Sequence, residues 1–227
     1  METWLADCEL IPYPRFGDVF KGTDLLGIFY PLCTVVHPQF GPLHFVSSNG
    51  LWMDEAFATD QNDHSFTVFE VSGGKYRFGG DTRLYKGGNH ARRLFPILEK
   101  DFAASATSYL EHESTDSYDY INGISDLFPE SMDFDLDYYL ATFFAFSVNR
   151  MQYESTGTFR ADLGGCAFID PPDDGYAAEH LHPKGSMIQH CVPLGLAVGS
   201  LFFQDGNDEA LYYNPENNQA LIVNCYG

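Results

Sequence analysis

The sequence predicts an α+β fold with a mixed or antiparallel sheet, a central helical block and a C-terminal β-meander. Three observations carry this: short β-branched or aromatic runs near both ends, a switch to helical periodicity between them, and no repeat or linker. Gly27–Val36, Leu43–Val46 and Ser65–Val71 are bounded by Gly, Pro, Asn and Ser, and read as strands. Ser72-Gly73-Gly74 turns the third of these into Lys75–Phe78, a hairpin over residues 65–79. From Ala91 to Glu113, Leu94, Leu98, Phe102, Ala106 and Leu110 recur at four-residue steps, which is a helix with Pro96 tolerated near its first turn. A second helix is expected from Ser131 as N-cap through Leu136, Tyr139, Leu140, Phe143 and Phe144. Asp133, Asp135 and Asp137 would then sit at the positive end of its dipole. Strand signals return at Thr158–Ala161 and Cys166–Ile169. Ser200–Phe203, Ala210–Tyr213 and Ala220–Asn224, separated by Asp205-Gly-Asn-Asp208 and Asn214–Asn218, read as a three-stranded meander. The expectation is one α+β domain over residues 1–227, divisible at most into lobes 1–90 and 91–227.

Of the 227 residues, 44% are hydrophobic and 16% aromatic, enough apolar surface to offset the entropy of folding. Against 12 Lys and Arg stand 32 Asp and Glu, a formal charge of −20. Such a field repels phosphate backbones and anionic lipid, which places nucleic-acid and membrane-surface binding last among the function classes. The acids Glu2, Asp7 and Glu9 are incompatible with a secretory leader, and no apolar run reaches the length of a membrane helix. Five cysteines without CxxC spacing and the lack of an Asn-x-Ser/Thr sequon fit reduced thiols in a cytoplasm.

The charge is concentrated. Residues 1–100 hold 12 acids and 9 bases, whereas residues 101–227 hold 20 acids and only Arg150, Arg160 and Lys184, a net of −17. Between Asp101 and Asn149 there are ten acids, no Lys and no Arg, interleaved with Tyr118, Tyr120, Phe128, Phe134, Tyr138 and Tyr139. Acidic runs are commonly solvated faces, but carboxylates mixed with aromatics also describe a docking surface for a basic protein. The expected partner-binding residues are Tyr118, Asp119, Tyr120, Asp133, Asp135 and Asp137.

Enzyme signatures are missing: there is no phosphate loop, nucleophile elbow, HExxH or GxGxxG. The glycines of Phe78-Gly79-Gly80 and Lys86-Gly87-Gly88 read as turns. Glu179-His180-Leu-His182 with His190 is the one cluster to weigh as a metal site, since two His at i and i+2 share one face of a strand. An isolated HxH is common by chance, so a loop or interface role is favoured, and no cofactor is expected. Cys166, Cys191 and Cys225 lie beside apolar stretches, the ordinary setting of an inert thiol.

Residues 199–224 run Gly199 and a short strand, Asp205-Gly206-Asn207-Asp208, an apolar strand, then Asn214-Pro215 and a closing strand. This order resembles the carboxy-terminal sheet of the SUKH superfamily of immunity proteins. That family's amino-terminal signature around a Leu-Pro pair and an Asn-Gly-Gly has no match here. The resemblance implies a bacterial toxin-neutralising protein. Two expectations follow: an acidic cytoplasmic protein that occludes a basic partner such as a toxin, and, as the alternative, a metal-dependent enzyme using His180, His182 and His190.

Overall fold

The computed structural model describes Leu5 and residues 7–111, 133–159, 167–203 and 206–226. The strands are β1 (Glu9–Pro12), β2 (Tyr30–His37), β3 (Gly41–Ser47), β4 (Phe66–Ser72), β5 (Lys75–Phe78), β6 (Ile169–Asp170), β7 (Val192–Ala197), β8 (Asp208–Asn214) and β9 (Gln219–Cys225). The helices are α1 (Phe16–Val19), α2 (Gly88–Glu111), α3 (Leu136–Thr156), α4 (Asp174–His180) and α5 (Gly199–Phe202). The fold is α+β, with two antiparallel sheets of order β1-β2-β3 and β5-β4-β9-β8-β7-β6.

The six-stranded sheet is covered on both faces, and the period-2 alternation of its strands shows how. Phe66 and Val68 of β4, Ala210 and Tyr212 of β8, and Leu221, Val223 and Cys225 of β9 pack with Ala177 of α4 and Leu181. Phe69 and Val71, Leu211 and Tyr213, and Ala220 and Ile222 belong to the larger core, which they share with β2, β3, α2 and α3. That core contains residues from both sides of residue 90, and α2 and α3 meet in it through Phe95 and Phe102, whose rings stand on edge to Phe143.

Helix α3 starts after Asp135, not Ser131, which lies outside the described residues. One carboxylate oxygen of Asp135 accepts the backbone N–H of Tyr138 at 3.0 Å, satisfying a donor that the first turn would leave orphaned. The helix ends at Gly157, whose φ of 71° is the left-handed conformation that closes a helix at low cost.

The C-terminal meander exists, but its first strand is β7 and not Ser200–Phe203, which forms the helical turn α5. Two local facts account for this. The Asp208 carboxylate accepts the N–H of Gly199 at 2.8 Å, holding the start of α5 against the start of β8. In β7, Pro193 and Gly195 interrupt the apolar run and coincide with a bulge in its register with β8, which hides the strand from a pattern search. Of the expected strand Cys166–Ile169, Cys166 lies outside the described residues, and of the other three only Ile169 is in a strand. Of the expected strand Thr158–Ala161, Arg160 and Ala161 lie outside the described residues, Thr158 and Phe159 are in no strand, and Phe159 packs against the rings of Tyr13, Tyr153, Phe168 and Phe202.

Candidate functional site

The face along which β3, β8 and β9 meet the first turn of α3 holds a cavity of about 420 Å³. Its floor follows from strand phase. Glu209 lies on the same face of β8 as Leu211 and Tyr213, so the alternation that buries those two carries a carboxylate into the large core face as well. Glu209 is only 2% exposed, and its Oε2 has no hydrogen-bond partner. Burial pushes its carboxyl well above the ordinary carboxylate range. A bond from Ser47 opposes the shift in part, and the charge of Asp208 adds to it. Asn224, the cross-strand partner of Glu209 on β9, donates its Nδ2 to His64 O at 2.8 Å.

The wall comes from the segment that leaves β3. Asn49 is 7% exposed and its Oδ1 accepts the Tyr138 hydroxyl at 3.1 Å, while its Nδ2 has no partner. Gly50, at φ 93°, lies so close to α3 that a Cβ there would stand 2.9 Å from Thr142 Cβ. This tight passage holds the segment against the helix. Trp52 follows, 58% exposed, with its ring centroid 5.1 Å from that of Tyr138. Its indole Nε1 donates to Asp135 Oδ2 at 3.1 Å. Asp135 therefore acts twice, capping α3 with one oxygen and orienting an exposed indole with the other. The opposite rim is formed by Glu55 and His64, paired at 3.0 Å between Oε1 and Nδ1, and by Tyr226, whose hydroxyl donates to His64 O. Among the described residues no lysine or arginine lines the cavity.

Of the residues expected to bind a partner, Tyr118, Asp119 and Tyr120 lie outside the described residues. Asp133 and Asp137 are exposed and flank half-buried Asp135 at the positive end of α3. The aromatics interleaved with them divide. Phe134 and Tyr139 are core side chains, 1% and 0% exposed, whereas Tyr138 lines the cavity. Sequence reasoning missed Glu209, Asn49 and Trp52. A signal for the first existed, because Glu209 stands two residues before Leu211 and four before Tyr213 in a strand.

The histidines are not arranged as the metal-site alternative requires. His180 closes helix α4 with its ring on edge to Tyr176 at 4.7 Å, and His182 follows in a turn. A helix rotates roughly 200° over two residues, so the shared face that an HxH pair has on a strand is lost. His182 and His190 are exposed, and among the described residues no three His, Cys, Asp or Glu are grouped so as to hold a metal ion. The nearby Lys184 has a different role. Its Nζ reaches Asp63 Oδ2 at 2.6 Å and lies 4.8 Å from the centre of the Phe66 ring. Burial alone would raise the Asp63 carboxyl, but the bonds from Lys184 and Ser65 outweigh it and hold the group below its ordinary range.

The chain matches no protein-family model, no curated protein and no solved structure. Among the described residues no helix is long and apolar enough to cross a membrane.

Proposed function

We propose that this chain binds a basic protein and neutralises it by occlusion, as a bacterial immunity protein does a toxin, with no chemistry of its own. The observation that carries the reading is the bond of exposed Trp52 to Asp135, which Asp133 and Asp137 flank in the chain. An exposed indole, locked by a carboxylate and neighboured by Tyr138, stands at the acidic end of α3. Large rigid aromatics and desolvated carboxylates are the groups that give protein interfaces their lifetime, while the net charge of −20 accelerates encounter with a cationic surface. The resemblance of residues 199–224 to the SUKH superfamily points to the same reading through the elements that match β8 and β9, while its first strand is the helical turn α5.

The test is capture from the native cell with three baits: the parent chain, Asp133→Lys with Asp137→Lys, and Asp24→Lys with Asp60→Lys. Asp135 is left intact because its loss would uncap α3 and release Trp52. One basic protein retained by the parent and by the Asp24/Asp60 bait, but lost from the Asp133/Asp137 bait, is the expected result. Its inhibition on addition of the parent chain completes the reading. Equal retention by all three baits, or no basic protein at all, contradicts it.

A further inference from the structure

The Glu209 cavity contains groups that the fold itself does not use. Glu209 and Asn49 line the same cavity, are 2% and 7% exposed, and have one polar atom each, Oε2 and Nδ2, without a partner. A buried carboxyl and a buried amide with one atom each left unpaired cost stability, and replacing both by apolar groups of similar shape would remove that cost. A ligand that completes both groups would offset the same cost.

The required chemistry follows from the walls. Glu209 Oε2 has no partner, and a cation brought against it would draw the buried carboxyl into its ionised form; with no lysine or arginine among the described lining residues, that cation is missing from the protein's side. Asn49 Nδ2 asks for an acceptor, because its own oxygen is already taken by Tyr138. Trp52 and Tyr138 offer ring faces at the rim, inclined 32° to one another. The charge of −20 disfavours any anion. A guanidinium group meets the first and third demands together, since it is planar, presents paired donors to a carboxylate, stacks on indole, and is less strongly hydrated than an ammonium. A peptide carbonyl on the same segment meets the second.

We propose that the cavity between Glu209, Asn49 and Trp52 receives an arginine side chain of the basic partner, with the guanidinium on Glu209, a backbone carbonyl on Asn49 and the stem against Trp52. The volume of about 420 Å³ falls in the range of roughly 300–1,000 Å³ common for ligand pockets, and admits an arginine with part of its backbone. This rests on the proposed function for the source of the arginine, while the pocket's preference for guanidinium is testable without any partner.

The probe is N-acetyl-arginine methylamide, titrated into ¹⁵N-labelled full chain and followed by NMR, with the lysine analogue and methyl glucoside as comparators. The expected result is saturable shifts of the Trp52 indole N–H and of the Asn49 and Glu209 backbone N–H groups. The lysine analogue should bind at least about fivefold more weakly, and Glu209→Gln at least about tenfold more weakly, with its spectrum otherwise preserved. Trp52→Leu, which leaves Glu209 in place, should weaken the probe by about tenfold. Shifts that do not saturate, equal binding by Glu209→Gln, or tighter binding of methyl glucoside overturn the inference. A basic partner captured unchanged by Glu209→Gln would also overturn it while leaving the occlusion reading intact.

Discussion

Replacing Glu209 by glutamine is expected to stabilise the protein at neutral pH and to remove part of its pH dependence. Glutamine keeps the shape and the ability to bond Ser47, and it carries no charge to desolvate. The sign follows from linkage. The folded-state pKa of Glu209 is raised, so above the unfolded value near 4.5 the folded protein holds a proton that the unfolded chain has released. Stability from this group is fully present below that value and is lost as pH rises towards the folded pKa, at about 1.4 kcal/mol per pH unit. Across the pH window that opens at the unfolded value near 4.5, the parent should therefore lose stability relative to Glu209→Gln as pH rises, measured by urea unfolding. Asp63 titrates in the opposite sense. Its pKa is lowered, so its contribution is present above about 3.8 and is lost on further acidification, outside this window. Parallel stability profiles for parent and variant would show that Glu209 is ionised and solvated in the native state.

The second large effect is expected at Gly199, where α5 meets the start of β8. A Cβ built there would lie 2.1 Å from Asn207 O and 2.3 Å from Gly206 O, both backbone atoms that cannot rotate away. Relief requires α5 and β8 to separate, which also stretches the bond from Gly199 N to the Asp208 carboxylate. Overpacking of this kind costs about 3 kcal/mol or more, so Gly199→Ala should be strongly destabilised in urea or fail to accumulate folded. Gly157→Ala is the control. It removes a left-handed glycine at φ 71° where a Cβ meets nothing within 4 Å, and should cost about 1 kcal/mol. Equal costs at the two sites would contradict the close approach of α5 to β8.

Much of this architecture was legible in the sequence, because pattern and tertiary burial agree there. The hairpin of β4 and β5 has a Gly-Gly turn, and the apolar stripe of α2 faces a core. Readability failed where a long-range contact decided the local state. Ser200–Phe203 has strand composition, yet the stretch Gly199–Phe202 is a helical turn whose first N–H is held by the carboxylate of Asp208, nine residues on from Gly199. Ser131 is a good N-cap by type, but Asp135 caps α3 in fact and reaches across to Trp52, 83 residues away in the chain. The cavity was harder to see, because its groups come from β3, β8, β9 and α3 and no short motif joins them. Only Glu209 left a trace. Starting the strand at Asp208 instead of Ala210 puts an acid in phase with Leu211 and Tyr213, and such a mismatch between charge and pattern marks a functional position more often than a mistaken strand.

The central claim is that the acidic end of α3, and not net charge alone, engages the basic partner. The most direct measurement is the association rate of the captured partner with the parent chain and with the two double variants, at about 0.05 M and 0.5 M salt, where screening lengths differ severalfold. Asp133→Lys with Asp137→Lys and Asp24→Lys with Asp60→Lys carry the same net charge, four units less negative than the parent's −20. The account predicts that the parent's rate falls at least about tenfold with salt, and that at low salt the Asp133/Asp137 variant associates more slowly and dissociates faster than the Asp24/Asp60 variant. Identical rates for the two variants would contradict it, and would leave the end of α3 an ordinary solvated face.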